Sequence, residues 1–183
     1  MSALRSLLVL VAALLAVFGQ AACPGTRPWL GAQANALPAL MVYAALETNL
    51  TTVALLAACG GLWFDALSAN PLGVTMLPLF VVGLALHTQR GLVLRAQVFA
   101  QSVLGVAASA AVPALTLVLL LTAGYLPLVG WGSLWQWLVV SLAGGLLAPL
   151  CFQLLGGCVR ALSYRPARQT SFRADRDIRR GRR

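Results

Sequence analysis

Few side chains in the apolar body of this 183-residue chain are of a type that does chemistry. Before residue 165 the acidic, basic and thiol groups are Glu47, Asp65, His87, five arginines and four cysteines, and the numerous Ser and Thr residues show no nucleophile elbow. Two carboxylates that share acid–base work lie roughly 5–10 Å apart. Glu47 and Asp65 are 18 positions apart in the sequence, which is about 27 Å along a helix that rises ~1.5 Å per residue. The two carboxylates are therefore predicted not to cooperate.

Cysteine and histidine give no pattern typical of a metal site or a nucleophile. Cys23, Cys59, Cys151 and Cys158 form no CxxC pair, whereas a structural zinc ion needs about four converging ligands. His87 is the one histidine of the sequence and has no acidic residue beside it. We therefore predict no catalytic residues, no metal and no cofactor.

The composition predicts that the chain lies in a membrane. It is 60% hydrophobic and 9% charged, with a mean hydropathy of +0.87, while soluble domains carry about 25% charged residues. The apolar runs are long and continuous, which disfavours the alternating strands of an outer-membrane barrel. We predict an all-α polytopic bundle of about six transmembrane helices with short loops, over residues 1–164. A basic tail follows at 165–183.

The predicted spans follow the apolar runs, and a span needs ~20 residues. They are Leu4–Ala22, Trp29–Leu46, Thr51–Leu67, Leu72–Thr88, Ala96–Thr122 and Leu134–Arg160. We interpret the first run as a span, with a cleaved signal peptide as the alternative. A five-span alternative joins residues 29–67 into one crossing, which places Glu47 near mid-bilayer at a cost of several kcal/mol.

Two local features of these spans predict how the helices behave. Small residues four apart, such as Ala57 with Gly61 and Gly105 with Ser109, are typical of close helix packing within a membrane bundle. In the last span, Pro149 follows a glycine pair at 144–145. Because a proline ring meets the carbonyl four residues earlier, we predict a local break there.

The basic residues predict the orientation. All 13 are arginine, the net charge is +9, and eight arginines follow Tyr164. Basic loops stay on the cytoplasmic side, so the C-terminus and the His87–Arg95 loop are predicted to be cytoplasmic. An even number of spans places the N-terminus there too.

The tail itself admits more than one interpretation. Four of its arginines recur every three or four residues and would share one side of a helix: Arg173, Arg176, Arg180 and Arg183. Attraction to anionic lipid contributes ~1 kcal/mol for each basic residue near the surface, and docking to a cytoplasmic protein is the alternative. Only Phe172 offers an aromatic ring for base stacking, so no nucleic acid is predicted as a partner.

One stretch, residues 60–73, has a distinctive spacing. A glycine-bearing apolar helix ends in an acidic residue, and a short turn leads to a Pro-Leu-Gly sequence at the start of the next helix. The residues that carry this pattern are Asp65, Leu67, Ser68, Pro71, Leu72 and Gly73. In order and spacing they resemble the signature of the MreD family of bacterial rod shape-determining proteins. Upstream, Leu37-Pro38-Ala39 resembles that family's opening of span two, with Ala39 in place of Asp.

The resemblance implies a non-enzymatic, multi-pass component of the bacterial inner membrane that helps to organise peptidoglycan synthesis and maintain rod shape. The implied partners are an MreC-like bitopic periplasmic protein, an MreB-like filament, RodA and its penicillin-binding partner. The implied turn residues are Asp65, Ser68, Pro71 and Gly73, where Asp65 would cap or brace the turn.

A second hypothesis belongs to a different class of protein: the substrate-capture membrane subunit of a vitamin importer, or a small permease. Proteins of that kind need polar groups that converge in a pocket. The predicted spans offer few candidates, among them Gln97, Gln101, Ser102 and Gln153.

Overall fold

A computed structural model describes residues 2–22, 35–68, 71–91, 97–125 and 130–162. Over these residues the chain forms helices and no β-strand, which confirms the all-α prediction. The helices are α1 (Ser2–Ala22), α2 (Leu37–Glu47), α3 (Leu50–Leu67), α4 (Met76–Thr88), α5 (Val98–Thr122) and α6 (Trp131–Leu162). The tail and its four aligned arginines, Arg173, Arg176, Arg180 and Arg183, lie outside the described residues.

The lengths of these helices show a helical membrane protein. Within the described ranges, α1, α3, α5 and α6 are long and apolar enough to cross a bilayer. The other two helices have 11 and 13 residues, fewer than the ~20 that a full crossing of ~30 Å requires. That all six helices cross the membrane stays a prediction.

Helix α2 lies at the centre of the bundle and contacts each of the other five helices. Ten consecutive residues, from Leu37 to Leu46, are buried. Its sequence has no polar face, which fits either a buried helix or a membrane span, and the burial shows that protein covers it. The short α2 is therefore the core around which the longer helices are arranged.

The carbonyl groups at the end of α2 find partners in neighbouring segments. A helix leaves its last four carbonyls without partners of its own. The Thr48 hydroxyl donates to Ala44 O at 2.6 Å. Nδ1 of His87, at the end of α4, lies 3.0 Å from Ala45 O. Since a carbonyl only accepts, His87 would be the donor in this contact.

Helices α5 and α6 make the most extensive pairing in the bundle, through small residues. A Cβ added to Gly145 would lie 2.6 Å from Val106, and one added to Gly144 would lie 2.5 Å from the Cβ of Ser109. The packing predicted for Gly105 and Ser109 is confirmed, because a Cβ on Gly105 would collide with the Gly144 carbonyl.

The local break predicted in the last span is wrong. Helix α6 is continuous from Trp131 to Leu162, with Pro149 inside it. The glycine pair at 144–145 is held against α5, so its backbone is part of a packed interface rather than a hinge.

Replacement of Gly144 by Ala tests this interface. The added Cβ meets Ser109, and we expect the free energy of unfolding in detergent to fall by about 1–3 kcal/mol, as for other overpacked sites. Gly157→Ala, on the same helix with nothing within 4 Å of the added Cβ, is the control. It should leave stability unchanged or raise it by up to about 1 kcal/mol. Equal responses of the two variants in a denaturant titration would contradict the packing described.

Candidate functional site

The turn between α3 and α4 is organised by one buried carboxylate. Asp65 lies in the last turn of α3 and is 1% exposed. Its Oδ2 accepts hydrogen bonds from the backbone N–H of Gly73 at 2.9 Å and of Thr75 at 3.0 Å. Its Oδ1 accepts from the Thr75 hydroxyl. One side chain thus joins the end of α3 to the start of α4, which is the bracing that the sequence predicts for Asp65.

The remaining turn residues set the path of the chain around this carboxylate. Ser68 ends α3, and both its N–H and its hydroxyl donate to Asp65 O, at 3.2 and 3.3 Å. The Pro71 carbonyl accepts from Val74 N at 3.4 Å. Gly73 has a φ of +90°, a conformation that costs little for glycine and much more for other residues. Asp65, Ser68, Pro71 and Gly73 therefore meet in a single turn.

The two helices approach each other closely just behind the turn. A Cβ on Gly61 of α3 would lie 2.7 Å from Met76 Cα, the first residue of α4. This contact confirms that Gly61 is a packing residue. It brings the beginning of α4 near enough for a side chain as short as Asp to reach its backbone.

Thr75 is the residue of this site that the sequence analysis missed. It is buried and supplies two of the three donors to Asp65. A signal was available, because threonine directly before an apolar helix is a common N-cap residue. The motif identified in the sequence covers residues 60–73 and ends two residues before Thr75.

Within the described part of the chain, the donors to Asp65 are two backbone N–H groups and one hydroxyl. Hydrogen bonds to a carboxylate are roughly twice as strong as neutral ones. The start of α4 adds the positive end of a helix dipole. The carboxylate therefore serves the fold, and its lone pairs are directed at the turn.

The other carboxylate of the bundle lies far from this site. Glu47 ends α2 and pairs with Arg5 of α1, with Nη1 and Oε2 3.6 Å apart. It precedes the first residue of α3, whereas Asp65 lies near the last, so the two carboxylates are separated by the length of that helix. Among the described residues, no three His, Cys, Asp or Glu side chains form a group that could hold a metal ion.

A cleft of about 430 Å³ lies on the side of the bundle where the turn is found. Uncharged polar side chains line it together with apolar ones. The polar members are Gln20, Asn35, Thr75, Thr116, Ser133 and Gln136, and Trp137 is among the aromatic ones. Of the residues considered from the sequence for a pocket, Gln97, Gln101, Ser102 and Gln153 are not among those that line this cleft. The polar side chains that line the cleft come from several helices and the segments next to them. Sequence periodicity alone does not indicate that these side chains converge.

In comparisons with protein-family models, curated proteins and solved structures, nothing matched this chain. The resemblance to the MreD family therefore stays a prediction from the sequence at residues 60–73 and 37–39.

Removal of the carboxylate should destabilise the bundle more than removal of one of its donors. Asp65→Ala leaves two N–H groups and a hydroxyl without their acceptor, at about 1–3 kcal/mol for each buried donor. Thr75→Val removes one charge-assisted hydrogen bond, at about 1.5–3 kcal/mol. The measurement is the free energy of unfolding of the purified protein in detergent.

Thr88→Val is the matched control for these variants. Its hydroxyl is exposed at the far end of α4 and bonds only to Ala85 O among the contacts described, so we expect a change within about 0.5 kcal/mol. If Asp65→Ala were no more destabilising than Thr88→Val, the bracing role would be wrong.

Proposed function

We propose that this protein is a non-enzymatic, MreD-like component of the bacterial inner membrane that helps to organise peptidoglycan synthesis and to maintain rod shape. It would act by helix-face contacts with partner proteins. The observation that supports the proposal most is the α3–α4 turn. The spaced residues that resemble the family meet there around Asp65, so in this chain they form one local structure.

The state of the two carboxylates also favours a scaffold over an enzyme. Asp65 is engaged by structural donors, and Glu47 pairs with Arg5. General acid–base catalysis needs a group within hydrogen-bond reach of a substrate proton, whereas Asp65 is buried with its oxygens bonded to the turn. A function through contact is what this arrangement supports.

The distribution of arginine supports cytoplasmic termini. Arg5 begins α1, Arg90 follows α4, and Arg160 lies in the last turn of α6, after which the basic tail continues. Contacts from His87 to Ala45 and from Arg5 to Glu47 tie α1, α2 and α4 together at this end. Since basic residues are retained in the cytoplasm, the Asp65 turn would face the periplasm, within reach of an MreC-like partner. The arginine-rich end would face an MreB-like filament.

Leu72 is the part of the turn best placed to touch a partner, being 72% exposed beside residues that the brace holds fixed. In a rod-shaped bacterium that depends on this gene, Leu72→Ser should reduce co-purification with the MreC-like protein and give rounded cells. Because Leu72 makes little contact with the bundle, the amount of protein in the membrane should not change. Cell shape, membrane abundance and co-purified partner are the three measurements.

Tyr125→Ser is the matched control for Leu72→Ser. Tyr125 is an exposed side chain that follows α5 at the same end of the bundle, but it lies outside the α3–α4 turn. It should support normal rods. Normal rods and full co-purification with Leu72→Ser would count against the turn as a contact site. Normal rods after deletion of the gene would count against the proposed function itself.

The cleft beside the turn favours one second candidate, a small-molecule capture subunit or small permease. Its size falls in the range of ligand sites, about 300–1,000 Å³, and its polar side chains are uncharged. Under that alternative, biotin, riboflavin or thiamine should bind the purified protein saturably, and Gln136→Leu should weaken binding. Absence of binding by equilibrium dialysis for all three vitamins would contradict this candidate as a vitamin-capture subunit.

A further inference from the structure

A second, smaller cleft lies at the end of the bundle opposite the Asp65 turn. Its volume is about 220 Å³, and it is bounded by α1, α2 and α6. Two guanidinium groups line it, those of Arg5 and Arg160, together with the carboxylate of Glu47. We call it the Arg5–Arg160 cleft.

The charges of this cleft do not cancel. Two arginines against one carboxylate leave a net charge of +1. The Arg5–Glu47 pair is long, at 3.6 Å, and its side chains are 37% and 30% exposed. Within the described part of the chain, the Nε atom of Arg5 is buried and has no hydrogen-bond partner. The terminal nitrogen Nη1 of Arg5 donates to Glu47 O at 3.4 Å, and an anion in the cleft would give this guanidinium further acceptors.

Arg160 adds the second donor group. Its Nε donates to Gly156 O at 3.1 Å, one turn earlier on α6, which directs the side chain back along the helix surface. No carboxylate of the described residues pairs with it. Its terminal nitrogens are therefore available for a ligand in the cleft.

The wall of the cleft between these charges is apolar. Phe152 and Val159 of α6 line it, and Phe152 packs edge-to-face on Tyr43, with ring centroids 5.1 Å apart. Leu7 of α1 and Leu154 of α6 are exposed large hydrophobic residues on the same two helices. Neither leucine lines the cleft itself, but both show that the helices beside it present apolar side chains to the surroundings, as hydrocarbon chains would require.

We propose that the Arg5–Arg160 cleft binds the phosphate headgroup of an anionic phospholipid, with Arg5 and Arg160 as its donors. Arginine is suited to phosphate because its planar fork gives paired hydrogen bonds. Basic pockets between transmembrane helices are known headgroup sites. The apolar wall and the exposed apolar residues of α1 and α6 favour a bilayer lipid over a soluble phosphate. This inference does not depend on the proposed function.

The test is native mass spectrometry of the full-length protein in detergent, with phosphatidylglycerol, phosphatidylcholine or sn-glycerol 3-phosphate added. We expect one saturable phosphatidylglycerol adduct at concentrations where the other two leave none. Arg160→Gln should weaken this binding about tenfold, the equivalent of one lost charge-assisted hydrogen bond. Arg160 is exposed, so the variant should keep its melting temperature. Binding of glycerol 3-phosphate as tight as that of the lipid would overturn the assignment to lipid.

Three further variants separate the cleft from general attraction between arginine and lipid. Glu47→Gln removes the competing carboxylate and should tighten phosphatidylglycerol binding severalfold. Arg90→Gln, which removes an exposed arginine outside the cleft, should leave binding unchanged. A chain with Arg173, Arg176, Arg180 and Arg183 replaced by Gln should retain the adduct. Weakening by Arg90→Gln as large as that by Arg160→Gln, or loss of the adduct with the tail variant, would contradict the proposal.

Discussion

Because the other five helices surround α2, the polar groups at its two ends must find their partners within the protein. At its start, the Asn35 side chain accepts a hydrogen bond from Leu37 N at 3.0 Å. At its end, Thr48 and His87 supply donors to the last carbonyls. The burial of α2 thus explains why Asn35, Thr48 and His87 lie next to its two ends.

In the Asp65 turn, between α3 and α4, backbone polar groups likewise find their hydrogen-bond partners within the protein. The first N–H groups at the start of a helix have no partner within that helix, and at α4 they lie beside the buried Asp65 and Thr75. A single carboxylate satisfies three donors from Gly73 and Thr75, and this is possible because Gly61 lets the helices close. Asp65, Ser68, Pro71 and Gly73 each have a physical role in this turn.

Much of this architecture could be predicted from the sequence, because hydropathy and length determine where helices form in a membrane protein. The separation of Glu47 and Asp65 followed from the rise of a helix. Hydropathy could not reveal that α2 is the core, since residues facing lipid and residues facing protein are equally apolar. Hydropathy could not show that α6 continues through Pro149 either. That continuity depends on the packing of the glycine pair at 144–145 against α5, which is a tertiary contact.

The arginines at the other end of the bundle illustrate a further limit. In the sequence, Arg5 and Arg160 are 155 positions apart. From the sequence alone, both arginines indicate only the orientation of the helices in the membrane. Their shared cleft arises from the way α1 and α6 lie against α2. Sites made of residues from distant helices depend on tertiary packing, which periodicity does not encode.

The geometry around Asp65 has a consequence for how such chains can diverge. Ten positions separate the carboxylate from Thr75, and they include a glycine at positive φ. One inserted or deleted residue between them would rotate α4 by about 100° at 3.6 residues per turn, and would turn its buried face outward. The length of this connection is therefore fixed in any descendant that keeps the fold. Insertions and deletions are therefore expected in other connections, where no side chain bonds across the segment and a change in length does not rotate a helix.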